Sequence, residues 1–575
     1  MQEHKRNKFS IIIAGLAVAI GIALTLFRHW EPSSESWGYW LFARIFAETG
    51  RFVIVSRGSL YVLYLNLFRG LGYPYSVIVE YISTSLILAV SLVLLFRRYL
   101  GLFWAVFIVI LWLPFFQAAE PPIQNLALAC CCLAIAARNT KPTRFRLALS
   151  YALFGFAYMF RTPYIIFIGV FATWDILKVF RQNNLKNSFL ILFPKKYDWP
   201  ILVVLVLLVW FSTMQSGHPW NNGWFATTRW FPSKGKTLSD ASFIQNYNWY
   251  YIYYKYGTFK DKDFYFTNQE AFGGAKDMIG LIRANPRFVA SQFIRQIKGN
   301  FSTIASFTQL PQFLYTKIDR LGYFYYVIFL FFTVPFVFAI SYGALRCCKD
   351  KVMILFIIAN ILLIGVNALV AFKTRYMQPL IPILTLCAFW YGNKIYSIFS
   401  NRMMSFKLTQ RQGLTVRNII IFFAFIFFSN SFLTWAAIVK NVAADISKGE
   451  IKVMEDRDYS YKASFNSFMP LIRNCKGVLT LEHAFIGAFT EIPLDRIYDI
   501  WEIPPFGHFG DSTYKGLYPD RIDCILIFHE LATGIGYATN YQIRYQNYIK
   551  PYAQYLRDRG AKVYDIEKFG QAVFY

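Results

Sequence analysis

The sequence predicts an α-helical polytopic membrane protein with about eleven transmembrane helices, a long extracytoplasmic loop and a small C-terminal α/β domain. Three observations carry that reading. Of 575 residues, 56% are hydrophobic and 16% charged, so the chain has more apolar surface than one soluble core of this length buries. The apolar residues gather into runs near 10–28, 77–96, 100–117, 122–137, 147–160, 163–178, 200–214, 322–345, 352–372, 379–396 and 418–438, each close to the length that crosses hydrocarbon. Lys and Arg, finally, concentrate in alternate connectors between those runs.

The connectors set the orientation. With the MQEHKRNK start in the cytoplasm, RRYLG, RNTKPTRFR, the basic stretch 178–198, RCCKDK and the basic stretch 394–417 all fall inside, as positive charge should. The first run is followed by RHWEPSSES, which offers no small-residue cleavage site and reads as a retained anchor. The outer face then receives loop 29–75, the turn AAEPP, the loop 215–320 and everything after about residue 440. Two units follow, a transmembrane body over 1–440 and an extracytoplasmic α/β domain over 441–575.

A loop as long as 215–320 without a role is unusual. Within it, DMIGLIRANPRFVASQFIRQIKGNF spaces its apolar residues as helices lying on a membrane surface do, and loop 29–75 repeats the pattern in SWGYWLFARIFAETG. The tail alternates polar helical stretches with the β-rich runs GVLTLEH, DCILIFHE and AKVYDI. The net charge of +27 does not indicate nucleic acid, because the cations sit in membrane connectors. Of the cysteines, only Cys475 and Cys524 fall in the tail; they form a disulfide if the compartment oxidises, or remain two buried thiols.

No HExxH, phosphate-binding loop, dinucleotide fingerprint or nucleophile elbow occurs, so placement has to carry the chemistry. Glu31 and Glu35 follow the first run and Glu120 stands in the turn after the third. Carboxylates converging at the outer boundary can bind a divalent cation such as Mg or Mn, or act as a general base; each also reads as a solvated or helix-starting acid. Glu35, Tyr39 and Ala43 share one face of an amphipathic helix. Arg51, Arg57, Arg161, Lys373 and Arg375 place cations on the same side, suited to a lipid phosphate or to headgroup contact. Trp224 and its aromatic neighbours in the long loop suit a sugar ring or an interfacial belt. The histidines have no partner at a diagnostic spacing.

The order of these features resembles the GT-C superfamily of membrane glycosyltransferases, which includes protein O-mannosyltransferases and bacterial aminoarabinose transferases. The resemblance rests on Glu35, Tyr39, Ala43 and Gly50, then Arg57-Gly-Ser-Leu60-Tyr61, Gly72-Tyr-Pro74, Glu120, Arg161-Thr-Pro163, Asn285-Pro286 and Arg375-Tyr376-Met-Gln-Pro379-Leu-Ile-Pro382. It covers roughly residues 10–400, and it departs from the family in offering Glu where the catalytic residue is most often Asp.

The resemblance implies transfer of a sugar from a polyprenyl-phosphate donor to a glycolipid, lipopolysaccharide, polysaccharide or protein acceptor on the non-cytoplasmic face; charge and cysteine usage leave a bacterial inner membrane and an endoplasmic reticulum both open, and the compact connectors favour the bacterial membrane. It implies Glu35, with Glu31 nearby, as base; Glu35 and Glu120 as ligands if a metal takes part; Arg57, Arg161, Lys373 and Arg375 on the lipid phosphate; and Tyr39, Tyr61 and Trp224 as a sugar platform. A multi-span transporter and a lipid-linked glycan polymerase or ligase are the competing expectations. Glu80, near the outer end of the second run, is the residue a transporter would use.

Overall fold

A computed structural model describes residues 15–24, 34–50, 52, 58–73, 75–117, 122–138, 143–182, 199–213, 238–256, 264–308, 341–343, 346, 349–370, 379–405, 429–447, 470–480, 483–493, 496–499, 524–527, 562–566 and 570–574. The described chain is mostly helical. Its bundle comprises α1 (Gly15–Leu24), α4 (Tyr75–Leu100), α5 (Leu102–Gln117), α6 (Ile123–Arg138), α7 (Arg144–Phe160), α8 (Ile165–Gln182), α9 (Trp199–Thr213), α14 (Lys351–Val370), α15 (Ile381–Ser405) and α16 (Ser429–Ser447). Two short helices, α2 (Ser34–Thr49) and α3 (Ser59–Asn66), connect α1 to α4. Among the described residues one helix, α4, is long and apolar enough to cross a membrane by length and composition, with shorter apolar helices around it. The expected run at 322–345 lies almost wholly outside the described residues, and α16 continues to Ser447.

Helices form where the apolar runs predict them because a backbone among apolar side chains must satisfy its own polar groups. Their ends follow local chemistry. Thr143 caps α7 by accepting from the Arg146 amide at 3.3 Å, and Gly101 adopts a left-handed φ of 78° between α4 and α5. The two ends of the bundle are chemically distinct. At one end Arg138 pairs with Asp175 at 2.9 Å and lies over the rings of Tyr151 and Phe171, and Tyr99 donates to Asp350 at 3.0 Å. The opposite end carries α2, α3 and the residues assembled below.

The segment 238–308 is its own small bundle: α10 (Leu238–Tyr256), α11 (Phe264–Phe272), α12 (Met278–Ala284) and α13 (Pro286–Thr308). Asp277 caps α12 by accepting from Gly280 N at 2.7 Å, and Asn285 caps α13 by accepting from Phe288 N at 3.2 Å, which explains the break at Asn285-Pro286. Phe243, Ile244, Tyr247, Ala271, Phe272, Leu281 and Val289 form its core, with Leu369 of α14 packed against them.

The tail contains a five-stranded mixed sheet in the order β2-β1-β3-β5-β4: β1 (Val478–Thr480), β2 (Ile497–Asp499), β3 (Cys524–Ile527), β4 (Lys562–Ile566) and β5 (Gly570–Phe574). Strands β1, β2 and β3 pair in parallel, while β5 runs antiparallel to both β3 and β4. The three β-rich runs read from sequence each contain a strand. Strands β2 and β5 come from runs that the sequence reading passed over. Helix α17 (His483–Phe489) makes the crossover from β1 to β2, as a parallel pair requires. Cys475 and Cys524 are disulfide-bonded, with Cα atoms 6.0 Å apart, joining the entry of β1 to the start of β3.

One expectation changes with packing. The spacing in 36–50 predicts an amphipathic helix, yet every residue from Gly38 to Ile45 is buried. Helix α2 has α3 on one side and α17 on another, so its polar face meets protein rather than solvent.

Candidate functional site

The residues at this end assemble from stretches far apart in sequence. Helix α2 contributes Tyr39 and Trp40, both buried. Gly58 begins α3 in the left-handed region at φ 76°, where a side chain is strained. A Cβ there would also stand 2.9 Å from the Phe160 carbonyl oxygen. The absent side chain lets α3 close onto the C-terminal end of α7, and the Gly58 carbonyl accepts from the Tyr61 amide at 2.8 Å. The Arg57-Gly-Ser-Leu-Tyr spacing thus sets Tyr61 against Tyr39, ring centroids 5.2 Å apart and edge to face.

Glu80 is 1% exposed. Trp40 Nε1 donates to its Oε2 at 2.8 Å, and the Tyr61 hydroxyl donates to Oε1. A buried carboxylate is tolerated when donors reach both oxygens, and the indole and phenol supply them. Burial, then the Glu80 negative charge, pushes the Tyr61 phenol well above its ordinary value. That direction favours the protonated phenol that donates to Glu80. Burial likewise raises neighbouring Tyr64, to about 12; its hydroxyl is hydrogen-bonded with Ser83.

Arg161 ends α7 in extended conformation, φ −149°, which breaks the helix before Thr162-Pro163 and turns the side chain back over the bundle. Its Nη1 donates to the Tyr39 hydroxyl at 3.5 Å. With the Gln124 amide oxygen turned toward the guanidinium, Nε and Nη2 donate to it at 2.8 and 3.2 Å. The Gln124 amide then faces the Tyr164 hydroxyl, 3.5 Å away. The result is a continuous path of contacts: Tyr164, Gln124, Arg161, Tyr39, Tyr61, Glu80, Trp40.

That path continues into the tail. Trp40 and Tyr73 pack against Phe489 of α17, at 5.7 and 5.1 Å. One turn along α2, buried Arg44 donates from Nη1 to the carbonyls of Gly487 at 2.8 Å and Thr490 at 2.7 Å, and from Nη2 to that of Ile492 at 2.8 Å. Its Nε donates to Glu48 at 2.6 Å. The guanidinium closes off one carbonyl in the last turn of α17 and two just beyond its end.

Of the residues singled out in sequence, Tyr39, Tyr61 and Arg161 come together here. The backbone of Glu35 is in the first turn of α2. Glu31, Arg51, Arg57, Glu120, Trp224, Lys373 and Arg375 lie outside the described residues. Among the described residues no three of His, Cys, Asp and Glu gather where they could hold a metal ion. Arg44, Trp40 and Gln124 are additions that sequence reasoning missed. Glu80 had a signal, an acid inside an apolar run, but its partners Trp40 and Tyr61 are 40 and 19 residues away.

In chemical capacity the group offers one cation, Arg161, beside phenols and an amide, with a carboxylate held behind them. No family model matches the chain, and no curated protein matches it.

Proposed function

We propose that this chain is a polytopic membrane glycosyltransferase that moves a sugar from a polyprenyl-phosphate donor to an acceptor at the non-cytoplasmic face of a bacterial inner membrane. The observation that carries the reading is the convergence of Tyr39 and Tyr61 of the first loop with Arg161, 122 residues beyond Tyr39, at three positions of the motif order. A departing lipid phosphate gains negative charge, and a fixed guanidinium in a poorly hydrated setting stabilises it. In this reading Arg161 meets that charge. Gln124 and Tyr39 hold its orientation, and the ring of Tyr39 contributes to a sugar platform. Glu35, in the first turn of α2, is the proposed base for the acceptor hydroxyl.

The membrane part of the proposal draws support from the outside of the bundle. Phe103, Trp104, Val206, Val209 and Ile361 are each more than half exposed, while Glu80, Gln124, Asn125 and Asn360 are buried. Polar side chains kept inside an otherwise apolar core, with large apolar side chains on the outside, suit lipid as solvent. The Cys475–Cys524 disulfide suits an oxidising compartment, in agreement with a tail on the outer face.

A transporter is favoured by one observation, the buried carboxylate of Glu80. Both its oxygens are already engaged by Trp40 and Tyr61, an arrangement suited to holding a structure. The deciding experiment supplies the detergent-purified chain with radiolabelled polyprenyl-phosphate sugars and a membrane extract, comparing wild type with Glu35→Gln and Arg161→Gln. Transfer lost in both variants upholds the reading. Failure of the wild type to transfer from or bind any donor overturns it and promotes the transporter.

A further inference from the structure

The small bundle α10–α13 has an outward face that the transfer reading does not use. Leu281 of α12 and Val289 of α13 belong to its apolar core. Helical spacing turns Ile279, Ile282 and Arg283 of α12, and Arg287, Ala290 and Ile294 of α13, away from that core, and all six are exposed. Ile279 is 59% exposed and Ile294 54%. Single exposed apolar side chains need no explanation. Two isoleucines on one face of a seven-residue helix, with exposed Met278 beside them, call for a surface to cover them.

Charge on this face has one sign. Between Gly273 and Ile297 every exposed charged side chain is a cation, namely Lys276, Arg283, Arg287 and Arg295. The acid of that stretch, Asp277, caps α12. Arg287 and Arg295 stand two turns apart on α13, with Ile294 on the same side. The Arg295 guanidinium lies 5.9 Å from the ring centre of exposed Tyr254, which adds an amphipathic ring to the edge of the face.

The neighbouring helix sets the depth. Leu369, in the last turn of α14, packs against the bundle core, while Ile361, Leu362 and Val366 in the preceding turns of α14 are exposed. In the membrane reading proposed above, on which this step rests, those three side chains meet hydrocarbon. The bundle therefore begins where the lipid-facing surface of α14 ends, at the level of the headgroups. At that depth isoleucines can enter the acyl boundary while guanidinium groups bond phosphate. A soluble anion would engage the cations and leave the isoleucines in water, and a zwitterionic surface offers the cations no net attraction. We infer that the outward face of α12 and α13 docks on anionic phospholipid headgroups of the outer leaflet, through Arg283, Arg287 and Arg295 beside Ile279, Ile282 and Ile294.

The test is hydrogen–deuterium exchange of the full chain in nanodiscs, made of phosphatidylcholine alone or with phosphatidylglycerol added, with no sugar donor present. Anionic lipid is expected to slow exchange over residues 278–297 about fivefold or more, because each cation near such a surface contributes a factor of about five. Combining Arg283→Gln, Arg287→Gln and Arg295→Gln should abolish the slowing, and high salt should weaken it in the wild type. The three side chains are exposed, so their loss leaves the bundle core intact, and unchanged exchange over α4 identifies a folded variant. Equal exchange in the two lipids, or slowing that persists in the folded triple variant, overturns the inference and leaves the transfer reading standing. Slowing that follows the number of protein copies per disc, in either lipid, assigns the face to a second copy of the chain and overturns it as well. A chain that does not enter nanodiscs at all overturns the membrane reading beneath both.

Discussion

The guanidinium of Arg44 donates at 2.8 Å to the carbonyl oxygen of Gly487, a residue 443 positions away. Together with its bonds to Thr490 and Ile492, this fastens the crossover helix of the C-terminal sheet to the first loop. Removing a buried guanidinium strands three carbonyls, at a cost of about 3 kcal/mol or more. Arg44→Met is expected to lower the thermal midpoint and to expose the tail to limited proteolysis. Arg44→Lys should rescue poorly, since an ammonium cannot reproduce the planar fork. A tail equally protease-resistant in Arg44→Met would remove this anchor from the account.

Trp40 touches both Glu80 and Phe489, so the buried carboxylate and the tail share one side chain. Trp40→Phe keeps a ring for Phe489 and deletes the donor to Glu80, whereas Glu80→Gln removes the charge. In a double-mutant cycle the two changes should be non-additive by about 1–2 kcal/mol, read from denaturation of the purified chain. Additive effects would mean that the indole and the carboxylate act independently.

Gly58 is expected to tolerate no side chain. Gly58→Ala combines a left-handed backbone with a close approach to the Phe160 carbonyl, a combined cost of about 1–3 kcal/mol. Because Tyr61 and Arg161 sit on either side of that contact, the variant should lose transfer from the proposed donor more than it loses thermal stability. Wild-type activity in Gly58→Ala would show that α3 can shift without consequence.

The disulfide closes a separation of 49 residues, for which chain-entropy reasoning gives about 4 kcal/mol. Cys475→Ser and Cys524→Ser should each destabilise the tail by a similar amount, and the double variant should be no worse than either alone. Alkylation of unreduced protein is expected to leave both thiols unlabelled; labelling of both would contradict the bond.

Legibility in the sequence depended on range. The helices over 75–178 follow from apolar run length, and the α3 geometry follows from Gly58 standing three residues before Tyr61, since both are local properties. Strand β5 was missed because GQAVFY opens on Gly and Gln and then runs apolar without alternation, and pairing with β3 and β4 makes it a strand. Arg44 was missed for a similar reason: in SWGYWLFARIFAETG it reads as the polar face of a surface helix, and nothing nearby indicates that carbonyls from residue 487 onward cover it.

By itself, the sequence determined the helical character of the chain, the positions of the bundle helices and the grouping of Tyr39 and Tyr61 into one loop. These depend on hydrophobic period and steric preference, which act within a few turns of chain. Only the tertiary structure decided that Glu80 is held by Trp40 and Tyr61, that Arg161 faces Gln124 and Tyr39, and that the tail docks on α2 through Arg44. A hydrogen bond forms where donor and acceptor meet in space, and between residues hundreds of positions apart that meeting is a property of the folded chain.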